Sequence, residues 1–115
     1  MTTIGLLKER FDRDPVPVKW GGIASDLLRL SSMARAEKLD TDIFRNVLTE
    51  TKLFTEWLAP QVGFEEQETI LSLQRILSGI SAAQSNYKDI ETKTHTWSDK
   101  VLVVSGLLTV KEKKA

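Results

Sequence analysis

The most constraining feature of this chain is an amphipathic segment bounded by an acid and a proline, residues 40–60, which reads DTDIFRNVLTETKLFTEWLAP. Asp40 or Thr41 can cap a helix at its start, and Pro60 ends the helix. With 100° of rotation per residue, one arc of the helix collects the apolar side chains Ile43, Val47, Phe54, Trp57 and Leu58. The segment therefore predicts a helix over residues 41–59 that packs one face against a core.

One charged residue, Glu50, falls inside this apolar arc. A charge that faces a core is costly unless it is paired or hydrogen-bonded. One interpretation places Glu50 at the edge of the arc, where it reaches water or pairs with an arginine such as Arg29. The other makes Glu50 a partly buried acid beside Trp57 that lines a small pocket or a subunit interface.

Helical spacing recurs on both sides of this segment. Residues 18–37 carry apolar side chains at 3-4-3-4 spacing, which are Trp20, Ile23, Leu27, Leu30 and Ala34. Residues 64–91 open with acidic side chains, which suit a helix N-terminus, and continue with one apolar face. Both stretches predict helices.

The last segment is ambiguous, because VLVVSGLLTV is rich in β-branched residues and its Ser-Gly pair suits a hairpin turn. The apolar residues Trp97, Val101, Val104 and Leu108 recur at 4-3-4 spacing, however. This spacing favours a helix over residues 97–111.

Four helices with short connections predict an all-α, antiparallel up-down four-helix bundle in a single domain, residues 1–115. Residues 1–17 form a short N-terminal helical segment, separated from the rest by Pro15 and Pro17. Its apolar residues Ile4, Leu7 and Phe11 would cap one end of the bundle or cover the overhang of the long third helix.

Composition narrows the class of protein. Sixteen Lys and Arg balance sixteen Asp and Glu, which argues against nucleic-acid binding. The absence of cysteine removes disulfides and thiolate sites. The apolar stretch near the start is too short for a signal peptide, and that from 101 to 110 is too short to span a membrane. We therefore expect a soluble, cytoplasmic protein with no nucleic-acid partner and no membrane span.

The sequence carries little that could do chemistry. A zinc or iron site needs several converging ligands, whereas the single histidine, His95, lies in the polar stretch TKTHTW, interpreted as a linker. The chain has no G-x-S-x-G motif and no phosphate-binding glycine-rich loop. The sequence thus predicts no catalytic residue, no metal, no cofactor and no enzymatic activity.

Three patches resemble known proteins: ASDLLRLSSMA (residues 24–34), ETKLFTEWLA (residues 50–59) and WSDKVLVVSGLL (residues 97–108). Together they resemble small uncharacterised all-helical proteins of cyanobacteria. The resemblance implies a helical last segment and a prokaryotic cytoplasmic setting. It implies no biochemical activity.

The apolar arc of residues 41–59 is wider than one core-facing stripe requires, because it extends from Leu48 to Leu53 through Phe54 and Trp57. We therefore expect a non-enzymatic protein–protein interaction module, whose partner is an unknown protein or a second copy in a homodimer. The candidate interface residues are Glu50, Leu53, Phe54, Trp57 and Trp20.

The alternative is a small-molecule binding or sensory module. Its pocket would lie near Trp20, Trp57 and Glu50, because the start of the predicted helix 18–37 and the end of the predicted helix 41–59 share one end of an antiparallel bundle.

Overall fold

The computed structural model describes residues 3–82 and 87–106. Within these ranges the chain is helical and contains no strand, which confirms the all-α fold class. The helices are α1 (Thr3–Arg13), α2 (Val16–Arg35), α3 (Asp42–Leu58), α4 (Phe64–Ala82) and α5 (Tyr87–Ser105), and a short 3₁₀ turn, Ala59–Gln61, follows α3. None of these helices has the length and apolarity needed to cross a membrane.

Helix α2 lies at the centre of the fold and packs against both α5 and α3, with the α2–α5 contact the more extensive. The predicted stripe of α2 is confirmed, since all five of its residues are buried: Trp20, Ile23, Leu27, Leu30 and Ala34. Residues beside the stripe are buried as well, including Lys19, Asp26 and Ser31. A helix enclosed from two sides buries more than one face.

Small and hydroxyl-bearing residues line the contact between α2 and α5. The Ser98 hydroxyl of α5 donates to the Ala24 carbonyl of α2 over 2.9 Å, and the Ser31 hydroxyl of α2 donates to the Glu91 carbonyl of α5 over 3.1 Å. Arg35 pairs with the Glu91 carboxylate over 2.9 Å at the outer edge. Short side chains let the two backbones approach closely, and the hydroxyl groups remain hydrogen-bonded although they are buried.

Helix α2 ends in a left-handed turn without a glycine. Glu37 has a φ of 59°, the Glu37 N–H donates to the Ala34 carbonyl over 3.0 Å, and the Lys38 N–H donates to the Met33 carbonyl over 2.9 Å. This pattern closes a helix and is usually built with glycine at the left-handed position, because a Cβ is strained there.

Helix α3 begins where the sequence predicts, since the Thr41 hydroxyl accepts a hydrogen bond from the Phe44 N–H over 3.1 Å. The predicted register of its apolar face is wrong at the first turn: Ile43 is 65% exposed, and Phe44 is buried instead. Thr51 and Thr55 complete the buried face. Their hydroxyls donate to the carbonyls of Val47 and Lys52 over 2.7 Å, which lets threonine occupy core positions.

The boundary between the last two helices differs from the predicted one. The structure ends α4 at Ala82 rather than at residue 91, and α5 begins at Tyr87 rather than at residue 97. The stretch TKTHTW, residues 92–97, therefore lies within α5 and is not a linker. Its Thr94 is buried, and the Thr94 hydroxyl donates to the Ile90 carbonyl of the same helix over 2.7 Å. Residues 101–105 are helical, so the hairpin is excluded there, while the predicted extension over residues 107–111 lies outside the described residues.

Replacing Glu37 by glycine should stabilise the protein by about 0.5–1 kcal/mol, because the strain of a Cβ at positive φ disappears. The measurement is the free energy of unfolding in urea. Glu37→Gln is the matched control, since it removes the charge but keeps the Cβ. A glycine variant no more stable than the glutamine variant would contradict this account of the turn.

Substitutions at Ser98 should reveal how closely α2 and α5 approach. We expect Ser98→Ala to lower the free energy of unfolding by about 1 kcal/mol through the lost hydrogen bond, and Ser98→Leu to lower it by about 1–3 kcal/mol through overpacking. Thr96→Leu places the same side chain at an exposed position of α5 and should have little effect. Equal effects of leucine at residues 98 and 96 would show that the contact is loose.

Candidate functional site

The five predicted interface residues occupy different environments. Trp20 and Phe54 are buried, whereas Glu50, Leu53 and Trp57 are partly exposed. Phe54 and Trp57 lie together, with ring centroids 6.0 Å apart. Trp20 instead belongs to the α2 core stripe and borders a cavity of about 230 Å³ with Gln61 and Val62.

An aromatic cluster forms where α1 meets the end of α3. The Phe11 ring of α1 stacks on Phe54 with centroids 4.7 Å apart and an interplanar angle of 24°. Its centroid lies 5.7 Å from that of Trp57, in a tilted arrangement. Offset-stacked and tilted pairs at these separations are the favourable geometries for aromatic side chains. Phe11 therefore fills the space beside Trp57.

Two lysines border this cluster. Lys19 Nζ of α2 lies 5.4 Å from the centroid of the Phe11 ring, and Lys8 Nζ of α1 lies 5.8 Å from that of Trp57. Both positions suit attraction between a cation and an aromatic face. Lys19 is buried, and its ammonium also donates to Gln61 Oε1 over 2.6 Å. The aromatic site is thus built from α2 and α3 and is filled by α1.

Helix α1 explains why the apolar arc of α3 looked too broad for one core. The segment 1–17 was expected to cap one end of the bundle or to cover an overhang of the third predicted helix. Phe11 covers the C-terminal part of α3 at the point where α3 meets the start of α2. It is the buried residue of α1, whereas Ile4 and Leu6 are about half exposed.

A charged cluster lies further along the α2–α3 contact. Arg29 Nη1 is 3.9 Å from Glu50 Oε2 and 3.2 Å from Asp26 Oδ1. The pairing of Glu50 with Arg29 agrees with the first interpretation of Glu50, and the Glu50 side chain is 28% exposed. Asp26 was not expected in this role, because it lies off the apolar stripe of α2. It is nevertheless buried, and its second oxygen, Oδ2, has no hydrogen-bond partner.

The pKa of Asp26 is raised to about 8, and burial is the largest cause. The neighbouring Glu50 carboxyl group acts in the same direction, because a protonated Asp26 can donate a hydrogen bond to it and because its charge disfavours a second negative charge. Arg29 acts in the opposite direction but does not compensate. Asp26 is therefore the acid with the unusual titration in this region. The sequence carries no signal for it, because Asp26 lies off the apolar stripe of α2 among residues with a surface pattern.

Several cavities lie away from the predicted pocket residues. A shallow one of about 310 Å³ between α2 and α3 is bordered by Leu28, Met33 and Ile43. A second, of about 540 Å³, lies between α4 and α5, where Trp97 and Val103 form part of its wall. Lys100 Nζ lies 4.5 Å from the centroid of the Trp97 ring in the second cavity.

Among the residues that the structure describes, no group of three His, Asp or Glu side chains is placed to bind a metal ion. His95 is exposed on α5. The residues with functional potential in the described ranges are therefore the aromatic cluster around Phe11 and the carboxyl pair around Arg29.

Comparison of the chain with protein-family models, with curated proteins and with solved structures gave no match. The resemblance to cyanobacterial helical proteins thus stays a prediction.

Proposed function

We propose that this protein is a non-enzymatic helical interaction module that associates with a second copy of itself by exchanging α1. The observation that carries the proposal is the seating of Phe11 on Phe54 and Trp57. A face built from α2 and α3 accepts an amphipathic helix, which is a common mode of helix recognition between proteins. Helix α1, which occupies this face within one chain, can occupy the same face of a neighbouring chain.

The attachment of α1 supports exchange. Helix α1 has one buried anchor, Phe11, near its C-terminal end. Asp14 and Pro15 alone separate α1 from α2. Exchange of an element between copies is a low-cost route to a dimer, because the exchanged contacts are those already made within one chain. A short linker stiffened by proline favours exchange over a relaxed closed form.

Apolar surface on α1 supports the same conclusion. Ile4 and Leu6 are about half exposed, as is Val18 near the start of α2. Docking within one chain leaves this surface uncovered, whereas a second copy beside α1 would bury part of it.

The proposal includes an antiparallel up-down arrangement of α2 to α5 in one domain. In α2 and α3, a Cβ at Gly22 would lie 3.6 Å from the Phe54 ring, while Arg29 approaches Glu50. Residue numbers therefore rise along α2 while those of the contacting residues fall along α3, as expected for antiparallel helices. The hydrogen bonds of α2 with α5 show the same antiparallel relation, because Ala24 meets Ser98 and Ser31 meets Glu91. Such bundles present rigid faces for binding partners.

Light scattering tests self-association. We expect a concentration-dependent dimer. Phe11→Ala should lower the free energy of unfolding by about 3 kcal/mol but change the dimerisation constant by less than about threefold, because Phe11 makes the same contacts in the closed monomer and in the exchanged dimer. Glu9→Ala is the control on the same helix, at an exposed position. The helical circular dichroism of α2 to α5 should persist in both variants. A wild-type chain that stays monomeric at high micromolar concentration would contradict the proposal.

Isotope-filtered NMR distinguishes exchange from other dimers. A mixture of ¹³C-labelled and unlabelled chains should show contacts between the Phe11 ring of one copy and the Trp57 ring of the other. If a dimer forms while all Phe11–Trp57 contacts stay within one chain, α1 exchange is wrong and another surface joins the copies.

A small-molecule module is the second candidate, favoured by the cavity of about 540 Å³ between α4 and α5. Its volume and its partly apolar wall are within the range of ligand sites. This site differs from the predicted one near Trp20, Trp57 and Glu50, because Phe11 occupies the space beside Trp57. Quenching of tryptophan fluorescence by a screened compound in the wild type, and its loss in Trp97→Phe, would support this candidate.

A further inference from the structure

The contact between α2 and α3 contains a carboxyl group without a hydrogen-bond partner. Asp26 is 3% exposed, and its Oδ1 accepts a hydrogen bond from Arg29 Nη1. Its Oδ2 is buried and bonded to nothing. A buried oxygen of an ionised carboxylate without a partner costs free energy, since the group has lost its water and gained nothing in exchange.

The neighbouring charges favour a proton at this point. Glu50 of α3 and Asp26 of α2 share one guanidinium, that of Arg29. With both carboxyl groups ionised the cluster carries a net charge of −1 beside a protein core, and with one proton its net charge is zero. Two carboxylates cannot hydrogen-bond to each other, because both are acceptors, whereas a protonated Asp26 can donate to Glu50. One proton therefore supplies the missing partner.

Among the residues that the structure describes, no second cation acts on Asp26. Helix α2 packs against α3 and α5. The charged groups that act on Asp26 are Glu50 from α3 and Arg29 from its own helix. From α5, Glu91 pairs with Arg35, nine positions along from Asp26. Lys19, also on α2, is engaged with Gln61.

We propose that Asp26 and Glu50 form a proton-binding site in the α2–α3 contact, and that loss of the shared proton loosens the two helices from each other. The ligand is a proton, because the pair offers too few oxygen atoms for a metal ion and lies against a guanidinium. Shared protons of this kind arise where two carboxyl groups cannot both ionise.

The direction of the pH effect follows from linkage. The raised pKa of Asp26, about 8 against an ordinary value of 3.8, means that the folded chain binds one more proton than the unfolded chain between these limits. The stability contributed by the site is fully present below pH 4 and is lost as the pH rises through about 8. Across that window the ratio of folded to unfolded chains should fall about tenfold per pH unit, or about 1.4 kcal/mol.

Carbon-detected NMR of the wild-type protein tests the site directly. The side-chain carboxyl carbon of Asp26 should titrate with a midpoint near pH 8. In Glu50→Gln the midpoint should move down, because the neighbouring negative charge is gone. A wild-type midpoint within about one unit of 3.8 would overturn the proposal, and this measurement does not depend on the folding of any variant.

Urea unfolding between pH 5.5 and 9.5 tests the consequence. Asp26→Asn copies the shape and neutrality of the protonated acid. We therefore expect its free energy of unfolding to stay constant where that of the wild type falls, up to about pH 8. Asp14→Asn makes the same chemical change at an exposed position and should parallel the wild type. Parallel profiles for the wild type and Asp26→Asn would overturn the proposal.

Hydrogen exchange locates the loosening. After correction for the intrinsic pH dependence of exchange, amides of α3 around Glu50 should exchange about tenfold faster at pH 9 than at pH 7 in the wild type but not in Asp26→Asn. Equal acceleration in both proteins would show that the proton does not control the α2–α3 contact.

Discussion

The close approach of α2 and α5 is the constraint on which the rest of the structure depends. Ala24, Ser31 and Ser98 are small enough to let the two backbones meet, and the two serine hydroxyls bond carbonyls across the contact. With α5 on one side of α2, α3 has to pack on another side. Both candidate sites lie along that second contact, so their geometry follows from the pairing of α2 with α5.

Enclosure of α2 also marks the limit of sequence reasoning. The five-residue apolar stripe of α2 was predictable, because burial of one helix face leaves a period of 3.6 residues in the sequence. The burial of Lys19 and Asp26 was not, since it depends on which helices pack against the flanks of the stripe. Glu50 drew attention because it interrupted an apolar arc. Its partner Asp26 lies off the apolar stripe of α2, so no break in the hydropathy pattern marks it.

Threonine accounts for the errors in α3 and α5. A buried hydroxyl that bonds a carbonyl of its own helix, as in Thr51, Thr55 and Thr94, needs no partner from elsewhere. Such residues resemble surface positions in a hydropathy pattern although they lie in the core. The apolar pattern of α3 therefore points toward Ile43 although Phe44 is buried, and the polar stretch around His95 has the composition of a linker although it lies within α5.

The two proposals meet on α3, which carries Glu50 and, one turn later, Phe54. The docked ring of Phe11 touches both sides of the α2–α3 contact, since it stacks on Phe54 and lies under Lys19. A movement of α3 away from α2 would therefore pull that aromatic site apart. If proton loss at Asp26 loosens the helices, it also weakens the seat of α1, and by linkage a seated α1 raises the affinity of the carboxyl pair for its proton. Release of α1 for exchange would then increase toward alkaline pH, with the sign fixed by the charge on Asp26.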